Sequence, residues 1–547
     1  MTTLSRRNPC FDSVARGRAR ALLASSCMLV LWALAATAGM AQENQQQPFV
    51  EPSETHDKTK VRALIEAQPQ QSGRWDTLPF TMPINPVHVA LMHNGKVLIV
   101  SGSGNDPDNH NLQAAVWDPK TSTIKTFQIA WDMFCNGMVI LPDGKPLVLG
   151  GTLAYDRPGR GFLGEPKTAV FDPLTEKFTN TLDMSGGRWY PTGTVLGNGQ
   201  VLVYSGLNAT TSAVNTTVQI GTGKAWSPAG TAFAGVPLYP REHVLPDGKV
   251  FESGANRTSQ LYDPAAHTFT PVATTILGSN RDYGTSVLLP LTPAGGFKPK
   301  VMILGGVAPK ATDTTELIDL SQPSPKWVQG PPMIKPRIQL NATLLPSGRV
   351  LVSGGSENDE DTATAVKEAQ LYDPAANTFS SASAMEFPRL YHSNTLLLPD
   401  ATVVALGGNP QRKTYVPEIE VYSPPYLFNP DGSPARRPVI TSVTPAALRY
   451  GARFQVSTAD AADIRSVVLI RAGAVTHAFD MDQRLVGLAF TAGAGVLNAT
   501  APINGNLAPP GYYLLFILNS RGVPSIARFV QLGATASASR YAKAKRG

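Results

Sequence analysis

The sequence predicts an all-β protein in two parts, a ring of seven small sheets and a smaller β domain after it. Three observations support this: a turn-rich composition, a strand pattern that recurs seven times, and a change of pattern after Val421. The 547 residues are enough for two or three domains. The 48 glycines and 46 prolines favour many short strands over long helices.

Each repeat has an apolar residue, a turn that contains Gly or Asp, a run of strand-forming residues and a closing glycine, as in LPDGKPLVLGG. The closing glycines are Gly102, Gly151, Gly206, Gly254, Gly306, Gly355 and Gly408. They are 48 to 55 residues apart, near the kelch period of about 50. Sheets stacked in a closed ring bury both faces and leave no long free edge. The repeats therefore predict a seven-bladed kelch-type β-propeller over residues 73–434.

A Pro-rich connector, SPPYLFNPDGSPARRP, follows the last repeat. Short alternating runs then continue to about Leu532, in a segment the size of an immunoglobulin-like domain. The sequence thus predicts a β-sandwich over residues 435–533. Residues 534–547 are small and basic, which predicts a disordered tail.

The N-terminus is typical of an export signal over residues 1–41. A basic stretch precedes an apolar run from Ala21 to Ala38, and small residues follow at the expected cleavage position. Arg6 and Arg7 resemble a twin-arginine signal. An uncleaved membrane anchor is the alternative, because the apolar run approaches spanning length. We expect an exported protein (secreted, periplasmic or cell-surface) whose polar, Gln-rich residues 42–72 form a flexible spacer.

The charge of +7 does not indicate nucleic acid binding. Basic residues concentrate at the two ends of the chain, and the body has no basic stripe for phosphates to follow. We expect a monomer with no membrane partner beyond the N-terminal segment. Cys10 and Cys27 lie in the signal, so the mature chain retains only Cys135 and cannot form an internal disulfide. That cysteine is either buried and inert or chemically special.

Alignment of the repeats on their closing glycines brings unusual residues together. Cys135, Tyr190 and His392 each lie sixteen residues before a closing glycine, as Gln339 does in the sixth repeat, and Tyr391 adjoins His392. These positions open the first strand of each repeat, which lines the channel of such rings. A lone Tyr, His or Cys is usually structural, but the shared offset predicts that these side chains converge at one end of the channel.

The segments MFCNG (133–137), RWYPT (188–192) and RLYHS (389–393) resemble the galactose oxidase and glyoxal oxidase family of copper-radical oxidases. THAFDMDQR (476–484) and PPGYYLLFILNSRGVPS (509–525) resemble the last domain of that family, an early-set, immunoglobulin-like domain. The resemblance runs from about Gly73 to Leu532. It implies that Tyr190, Tyr391, His392 and His477 bind one copper ion, and that Cys135 is joined through sulfur to the ring of Tyr190.

A copper site of this composition is chemically reasonable, because copper(II) favours nitrogen and oxygen donors. The resemblance implies that a small aldehyde, alcohol or carbohydrate is oxidised by dioxygen, which leaves as hydrogen peroxide. Tyr391 would take the hydroxyl proton and a radical on Tyr190 a hydrogen from the substrate carbon. The Cys–Tyr radical cofactor then makes a flavin or nicotinamide unnecessary.

The chain also departs from the galactose oxidase pattern. The aromatic that stacks on the modified tyrosine falls at Asn208, so that Trp189 is a candidate replacement. The position of the arginine that contacts galactose corresponds to Pro240, next to Arg241. This difference favours the glyoxal oxidase side of the family, with small aldehydes as substrates.

Several assignments stay open from the sequence. Tyr239 and Tyr283 are candidate pocket residues or ordinary strand-start residues, and His88, His243 and His267 are assigned structural or surface roles. The alternative function is a non-catalytic, carbohydrate- or protein-binding kelch propeller. It predicts an eroded ligand set, whereas all five cofactor positions are present.

Overall fold

The computed structural model of the protein describes residues 68–533, so the predicted signal, most of the spacer and the tail lie outside the described residues. In this range one short α-helix, Pro69–Ser72, stands at the end of the predicted spacer, and its Ser72 is buried. The 3₁₀ helices are Thr362–Thr364, Pro425–Leu427 and Ala461–Asp463. Almost all other regular structure is β-strand, which confirms the all-β prediction. None of the helices described is long and apolar enough to cross a membrane.

Residues 74–423 form seven antiparallel sheets, one for each sequence repeat, in the part of the chain that the structure describes. Sheet 1 contains His88–Leu91, Val97–Gly102, Gln113–Asp118 and Thr123–Gln128. Sheet 2 contains Gly137–Ile140, Pro146–Leu149, Thr168–Asp172 and Lys177–Asn180, and sheet 3 contains Thr192–Val195, Val201–Tyr204, Thr217–Gly221 and Trp226–Thr231. Sheet 4 contains Glu242–Val244, Val250–Glu252, Thr258–Asp263 and Thr268–Thr274.

Sheet 5 contains Thr285–Leu288, Lys300–Leu304, Thr315–Asp319 and Trp327–Gln329, and sheet 6 contains Asn341–Leu344, Val350–Ser353, Glu368–Asp373 and Thr378–Ala384. Sheet 7 contains Asn394–Leu397, Val403–Leu406, Glu418–Ser423 and the N-terminal strand Arg74–Thr81. The strand that precedes the first repeat therefore completes the sheet of the last repeat. A separate two-stranded sheet pairs Thr152–Ala154 with Leu163–Gly164.

The first strands of the sheets lie side by side in chain order, and the first strand of sheet 7 lies beside that of sheet 1. Sheets 4 and 5 are joined by a 2.7 Å hydrogen bond between His243 Nε2 and Ser286 Oγ. Every first strand is buried along its whole length, whereas outer strands such as Lys177–Asn180 are largely exposed. The core therefore surrounds the first strands.

The C-terminal part has two sheets, and their buried apolar residues form one continuous cluster with residues of sheets 4 and 5 such as Phe251 and Leu288. One contains Ser442–Thr444, Arg453–Ser457, Val496–Thr500 and Phe490–Gly493. The other contains Ala447–Leu448, Arg528–Leu532, Gly511–Asn519, Ile464–Arg471 and Leu485–Gly487. This pair of sheets follows the seven repeats, as the sequence predicts.

One hairpin of the C-terminal part enters the ring. Its strands, Ala474–Thr476 and Phe479–Asp480, extend sheet 1, with Thr476 opposite His88.

Two other sheets hold the segment that follows the hairpin. Asp482 Oδ2 accepts the Ile140 amide of sheet 2 at 2.6 Å, and Gln483 Nε2 donates to the Ala342 carbonyl of sheet 6 at 2.9 Å. The hairpin turn, which carries His477, is therefore fixed among the first strands.

Candidate active site

The candidate site is built on a backbone feature that recurs in six of the seven sheets. A non-glycine residue two or three positions before the first strand has φ between +45° and +70°. These residues are Cys135, Tyr190, Tyr239, Tyr283, Gln339 and His392. Such conformations are uncommon outside glycine and concentrate at functional sites. The offset of sixteen residues identifies four of these positions. It misses Tyr239 and Tyr283, because sheets 4 and 5 have different spacings to their closing glycines.

In four sheets a buried arginine holds the segment that precedes the first strand. Arg188, Arg281, Arg337 and Arg389 each donate to the carbonyl of the residue just before a closing glycine. In sheets 5 and 7 the guanidinium also forms a buried ion pair, with Glu316 and Glu420 respectively, at 2.8 Å. The arginine lies two residues before Tyr190, Tyr283, Gln339 or Tyr391. This repeated Arg-x-Tyr/Gln pattern is visible in the sequence, although it was not among the predictions.

The structure brings the predicted ligand residues close to one another. The phenolic oxygens of Tyr190 and Tyr391 are in contact. The ring of His477 lies 4.5 Å from that of Tyr190 and 4.5 Å from that of His392, centroid to centroid. Tyr190, Tyr391 and His392 are at most 2% exposed. Three elements distant in the sequence thus meet in one buried cluster.

Hydrogen bonds fix the tautomer of both histidines. The amide oxygen of Asn409 accepts from His392 Nδ1 at 2.5 Å, which leaves a lone pair on Nε2. That buried Nε2 has no hydrogen-bond partner among residues 68–533. The Thr476 hydroxyl donates to the Val87 carbonyl, so its oxygen accepts from His477 Nδ1 at 2.6 Å. Both Nε2 atoms are therefore available as metal ligands, with Nδ1 oriented by a neighbour in the usual way.

Burial keeps both imidazoles neutral. It lowers the pKa of His392 to about 3, an effect that the hydrogen bond to Asn409 opposes. Burial, and then the charges of His392 and His88, lower the pKa of His477 well below its ordinary value. The Cys135 sulfur and one nitrogen of each histidine lie within 4.8 Å of one another. The two imidazole nitrogens, with the two phenols beside them, fit a copper(II) ion.

Cys135 and Tyr190 are neighbours across sheets 2 and 3. The Tyr190 amide donates to the Cys135 carbonyl at 3.0 Å. The Cys135 sulfur is fully buried and lies 3.8 Å from His477 Nε2. The Cys135 thiol is thus part of the cluster that contains the predicted ligands.

Aromatic rings enclose Tyr190. The Trp189 ring lies 3.8 Å from it and stacks at 4.2 Å on Phe162, while the Tyr239 ring lies 4.4 Å from Tyr190. The Tyr239 hydroxyl donates to the Asn136 carbonyl at 2.7 Å. Tyr283 stands edge-on to Tyr391 at 6.0 Å. All three candidate pocket residues, Trp189, Tyr239 and Tyr283, therefore border the cluster.

The structure shows the surroundings of the two positions at which the sequence departs from the galactose oxidase pattern. Asn208 is half-exposed, and its side chain bonds Thr210 and Thr211 in its own loop. Arg241 is buried and donates to the Arg281 carbonyl. Arg241 therefore has a structural role and does not replace the galactose-contacting arginine.

Comparison with known proteins identifies the family to which the chain belongs. Residues 108–426 match a family model described as glyoxal oxidase N-terminus, and residues 437–532 match one described as galactose oxidase-like, early set domain. The chain belongs to the glyoxal oxidase family. Membership makes it an oxidoreductase and confirms the resemblance seen in the sequence.

Relatives of this glyoxal oxidase family member include oxidases. It is 29% identical to "Aldehyde oxidase GLOX" of Vitis pseudoreticulata, over 86% of this chain and 99% of the relative. It is 27% identical to a galactose oxidase of Gibberella zeae, over 84% of this chain and 70% of the relative. A solved fungal alcohol oxidase, described as a complex with copper, has a TM-score of 0.74 and 25% identity, over 85% of this chain and all of the other.

His88 has a position that the sequence analysis did not anticipate. Its ring is fully buried and lies 5.9 Å from the ring of His477, and neither nitrogen has a hydrogen-bond partner in the part of the chain that the structure describes. His243 bonds Ser286, as expected of a structural residue, and His267 is in a turn at φ +58°. The position of His88 beside the site depends on the pairing of its strand with the inserted hairpin. No pattern in the sequence indicates that pairing.

Proposed function

We propose that this protein is an exported copper-radical oxidase that oxidises a small aldehyde or primary alcohol with dioxygen and releases hydrogen peroxide. The observation that carries the proposal is the convergence of Cys135, Tyr190, Tyr391, His392 and His477 in one buried cluster. A non-catalytic binding propeller would have no need to bury two neutral imidazoles and two phenols around a common point.

In this proposal Tyr190, Tyr391, His392 and His477 hold one copper ion. The two Nε2 lone pairs and the two phenolic oxygens supply nitrogen and oxygen donors, which copper(II) prefers. Asn409 and Thr476 orient the imidazoles. When bound, copper supplies a Lewis acid and an acceptor for one electron.

The second electron requires an oxidisable side chain, and Tyr190 is suited to that role. A thioether between Cys135 and Tyr190 lowers the cost of oxidising its ring to a radical. The bond forms when the thiol and a ring C–H lose two hydrogens to dioxygen, which becomes hydrogen peroxide. Burial of Tyr190 between Trp189 and Tyr239 then protects the radical from solvent.

During turnover Tyr391 takes the proton of the substrate hydroxyl, and the Tyr190 radical takes a hydrogen from the carbon that bears it. An aldehyde reacts as its hydrate, so the product is a carboxylic acid. Two electrons and two protons leave the substrate, and dioxygen accepts them as hydrogen peroxide. Burial of these groups away from water strengthens the electrostatic interactions that these steps require.

We propose further that the seven sheets are the blades of a kelch-type propeller and that the C-terminal sheets form an immunoglobulin-like, early-set sandwich. The order of the first strands and the shared sheet 7 support this proposal. We assign residues 1–41 to an export signal, 42–72 to the spacer, 73–434 to the propeller, 435–533 to the sandwich and 534–547 to the tail. The protein then acts outside the cytoplasm, where a lone cysteine can mature oxidatively.

Small aldehydes are the favoured substrate class. Asn208 bonds within its own loop and Arg241 bonds a backbone carbonyl, so neither supplies the aromatic or arginine contact expected of a galactose site. The aldehyde oxidase named among the relatives supports the same choice.

A peroxide-coupled screen of the copper-loaded protein tests the proposal. Small aldehydes, primary alcohols and galactose are compared, with the Tyr391→Phe and His392→Ala variants as controls. We expect peroxide from aldehydes that requires both residues and copper. Absence of peroxide with every substrate, from protein that binds copper, would remove the oxidase assignment.

A further inference from the structure

The proposed radical residue is connected to the rim of the ring by a line of aromatic side chains. The Tyr190 ring lies 3.8 Å from Trp189, Trp189 stacks at 4.2 Å on Phe162, and Phe162 lies 5.4 Å from Tyr155. Trp189 and Phe162 are fully buried, whereas Tyr155 is half-buried. The line therefore runs from the buried centre towards solvent.

Topology places the outer end of this line on the face where the site lies. The second strand of each sheet returns antiparallel to the end at which the first strand begins. Tyr155 is in the loop that follows the second strand of sheet 2, and Cys135 precedes the first strand of the same sheet. Arg412, from sheet 7, covers Tyr155 with its guanidinium 5.9 Å above the ring and pairs with Asp156.

Tyr155 also has a proton acceptor within reach through one hydroxyl. Its phenolic oxygen lies 2.7 Å from Ser103 Oγ, and Ser103 Oγ lies 2.6 Å from Asp132 Oδ2. An ionised carboxylate only accepts, so the Ser103 hydroxyl donates to Asp132 and the Tyr155 hydroxyl donates to Ser103. These two hydrogen bonds therefore point the same way, so the proton of Tyr155 can pass to Ser103 as the proton of Ser103 passes to Asp132.

This combination is what a redox-active tyrosine needs. A phenol gives up an electron readily only when its proton can leave at the same time. Asp132 is fixed as the acceptor, because its other oxygen accepts the amides of Ser103 and Phe134 at 2.8 and 3.0 Å. Tyr422, a fully buried tyrosine outside the line, instead donates to the backbone carbonyl of Ser72, which cannot accept a proton.

We propose that Tyr155 is a redox relay that passes single electrons between Tyr190 and one-electron oxidants or reductants outside the protein, through Phe162 and Trp189. In the activating direction an external one-electron acceptor oxidises Tyr155, whose proton moves through Ser103 to Asp132. Tyr155 then regains its proton from Asp132 and an electron from Tyr190. Tyr190 would already be a phenolate when it holds copper, so the loss of that electron alone leaves it as the neutral radical. The external acceptor is reduced by one electron, so electrons and protons balance.

The relay rests on the proposed function, because it needs an oxidisable Tyr190. It is separate from turnover, in which substrate and dioxygen meet the site directly. Loss of the relay should therefore slow the gain and loss of the radical without removing the capacity for catalysis.

The test uses copper-loaded, full-length protein that has first been reduced to the radical-free copper(II) form. Ferricyanide is mixed in, and radical formation is followed by stopped-flow absorbance and by the loss of the copper(II) EPR signal as the radical couples to it. We expect Tyr155→Phe to slow radical formation by at least about tenfold, or about 1.4 kcal/mol in the barrier. Its steady-state oxidation of an aldehyde should be retained once the radical has formed.

Two further variants separate the relay from a packing effect. Asp132→Asn keeps an oxygen for the two backbone amides but offers Ser103 no base, so it should slow the same phase and remove its solvent deuterium isotope effect. Tyr415→Phe is the matched control: it removes a half-buried phenol that donates to the Met82 carbonyl, and the rate should not change.

The outcomes are distinguishable. If the parent protein forms no radical with ferricyanide, the proposed radical function itself fails. If it forms the radical and Tyr155→Phe does so at the same rate, the relay is wrong while the oxidase assignment stands. Slowing by Tyr415→Phe to the same extent as by Tyr155→Phe would also overturn the relay.

Discussion

The rings of Tyr190 and His477 lie 4.5 Å apart, although Tyr190 precedes a strand of sheet 3 and His477 is in the C-terminal part of the chain. The hairpin that carries His477 extends sheet 1 and so reaches the centre of the ring. The candidate site is therefore shared by the two parts of the protein, and neither part contains all of it.

His477→Ala should weaken copper binding while the fold is retained. Loss of a residue that merely orients a ligand typically lowers metal affinity 10–100-fold, so loss of a ligand should cost at least about 100-fold. Competition with a chelator measures the affinity, and His267→Ala, in a turn outside the cluster, is the control. Equal affinity in parent and His477→Ala would remove His477 from the site.

The buried ion pair of Arg389 and Glu420 should be a major contributor to stability. Arg389→Gln leaves a carboxylate that is 0% exposed without its cation, which should lower the free energy of unfolding by about 3–5 kcal/mol. Chemical denaturation measures this. The exposed pair of Arg349 and Asp373 is the control, and Arg349→Gln should cost less than about 1 kcal/mol. Similar losses in both variants would contradict the account.

Asp480 should make the copper-free protein less stable as pH rises from about 4 to 6. Burial raises the pKa of Asp480 to about 6 from an ordinary 3.8, although three backbone amides donate to its carboxylate. The folded chain therefore binds this proton more tightly than the unfolded chain does. The resulting stabilisation is complete below the unfolded pKa and is lost as pH rises through the folded pKa.

Asp480→Asn tests this contribution, because its amide oxygen can still accept from the same backbone amides. The unfolding free energy of the variant, relative to the parent, should rise between pH 4 and 6 by a total on the order of 3 kcal/mol. Parallel stability profiles for the two proteins would show that Asp480 does not titrate in this range.

The sequence predicts most of the fold because the repeats carry it. A period near 50 residues fixes the number of sheets, and the shared offset places Cys135, Tyr190 and His392 at equivalent points. His477 is different. Its role follows only from the family resemblance, since no periodicity reveals that a hairpin of the second domain pairs with His88–Leu91.

Other contributors have no signal in a single sequence. Asn409 orients His392 from the loop after the second strand of sheet 7, and Phe162 stacks on Trp189 from a loop of sheet 2. Such loops vary in length and have no alignment to the repeat, so their side-chain contacts emerge only in three dimensions. The buried arginines are the exception, because their Arg-x-Tyr/Gln pattern is readable once its partner carbonyls are known.

Cys135→Ser should separate copper binding from radical chemistry. The sulfur is not a copper ligand in this account, so affinity for copper should remain near that of the parent. Oxidase activity should fall strongly, because an unmodified phenol is harder to oxidise. A Cys135→Ser variant with full activity would show that the thioether is dispensable.

The most direct test of the account is the mass of the protein after treatment with copper and dioxygen. Formation of the thioether between Cys135 and Tyr190 removes two hydrogens, so intact-mass spectrometry should show a deficit of about 2 Da together with loss of thiol alkylation at Cys135. Peptide mapping should place the deficit on a linked pair of peptides that contain the two residues. An unchanged mass and a fully alkylated Cys135, in copper-loaded enzyme that turns over, would contradict the radical-cofactor account.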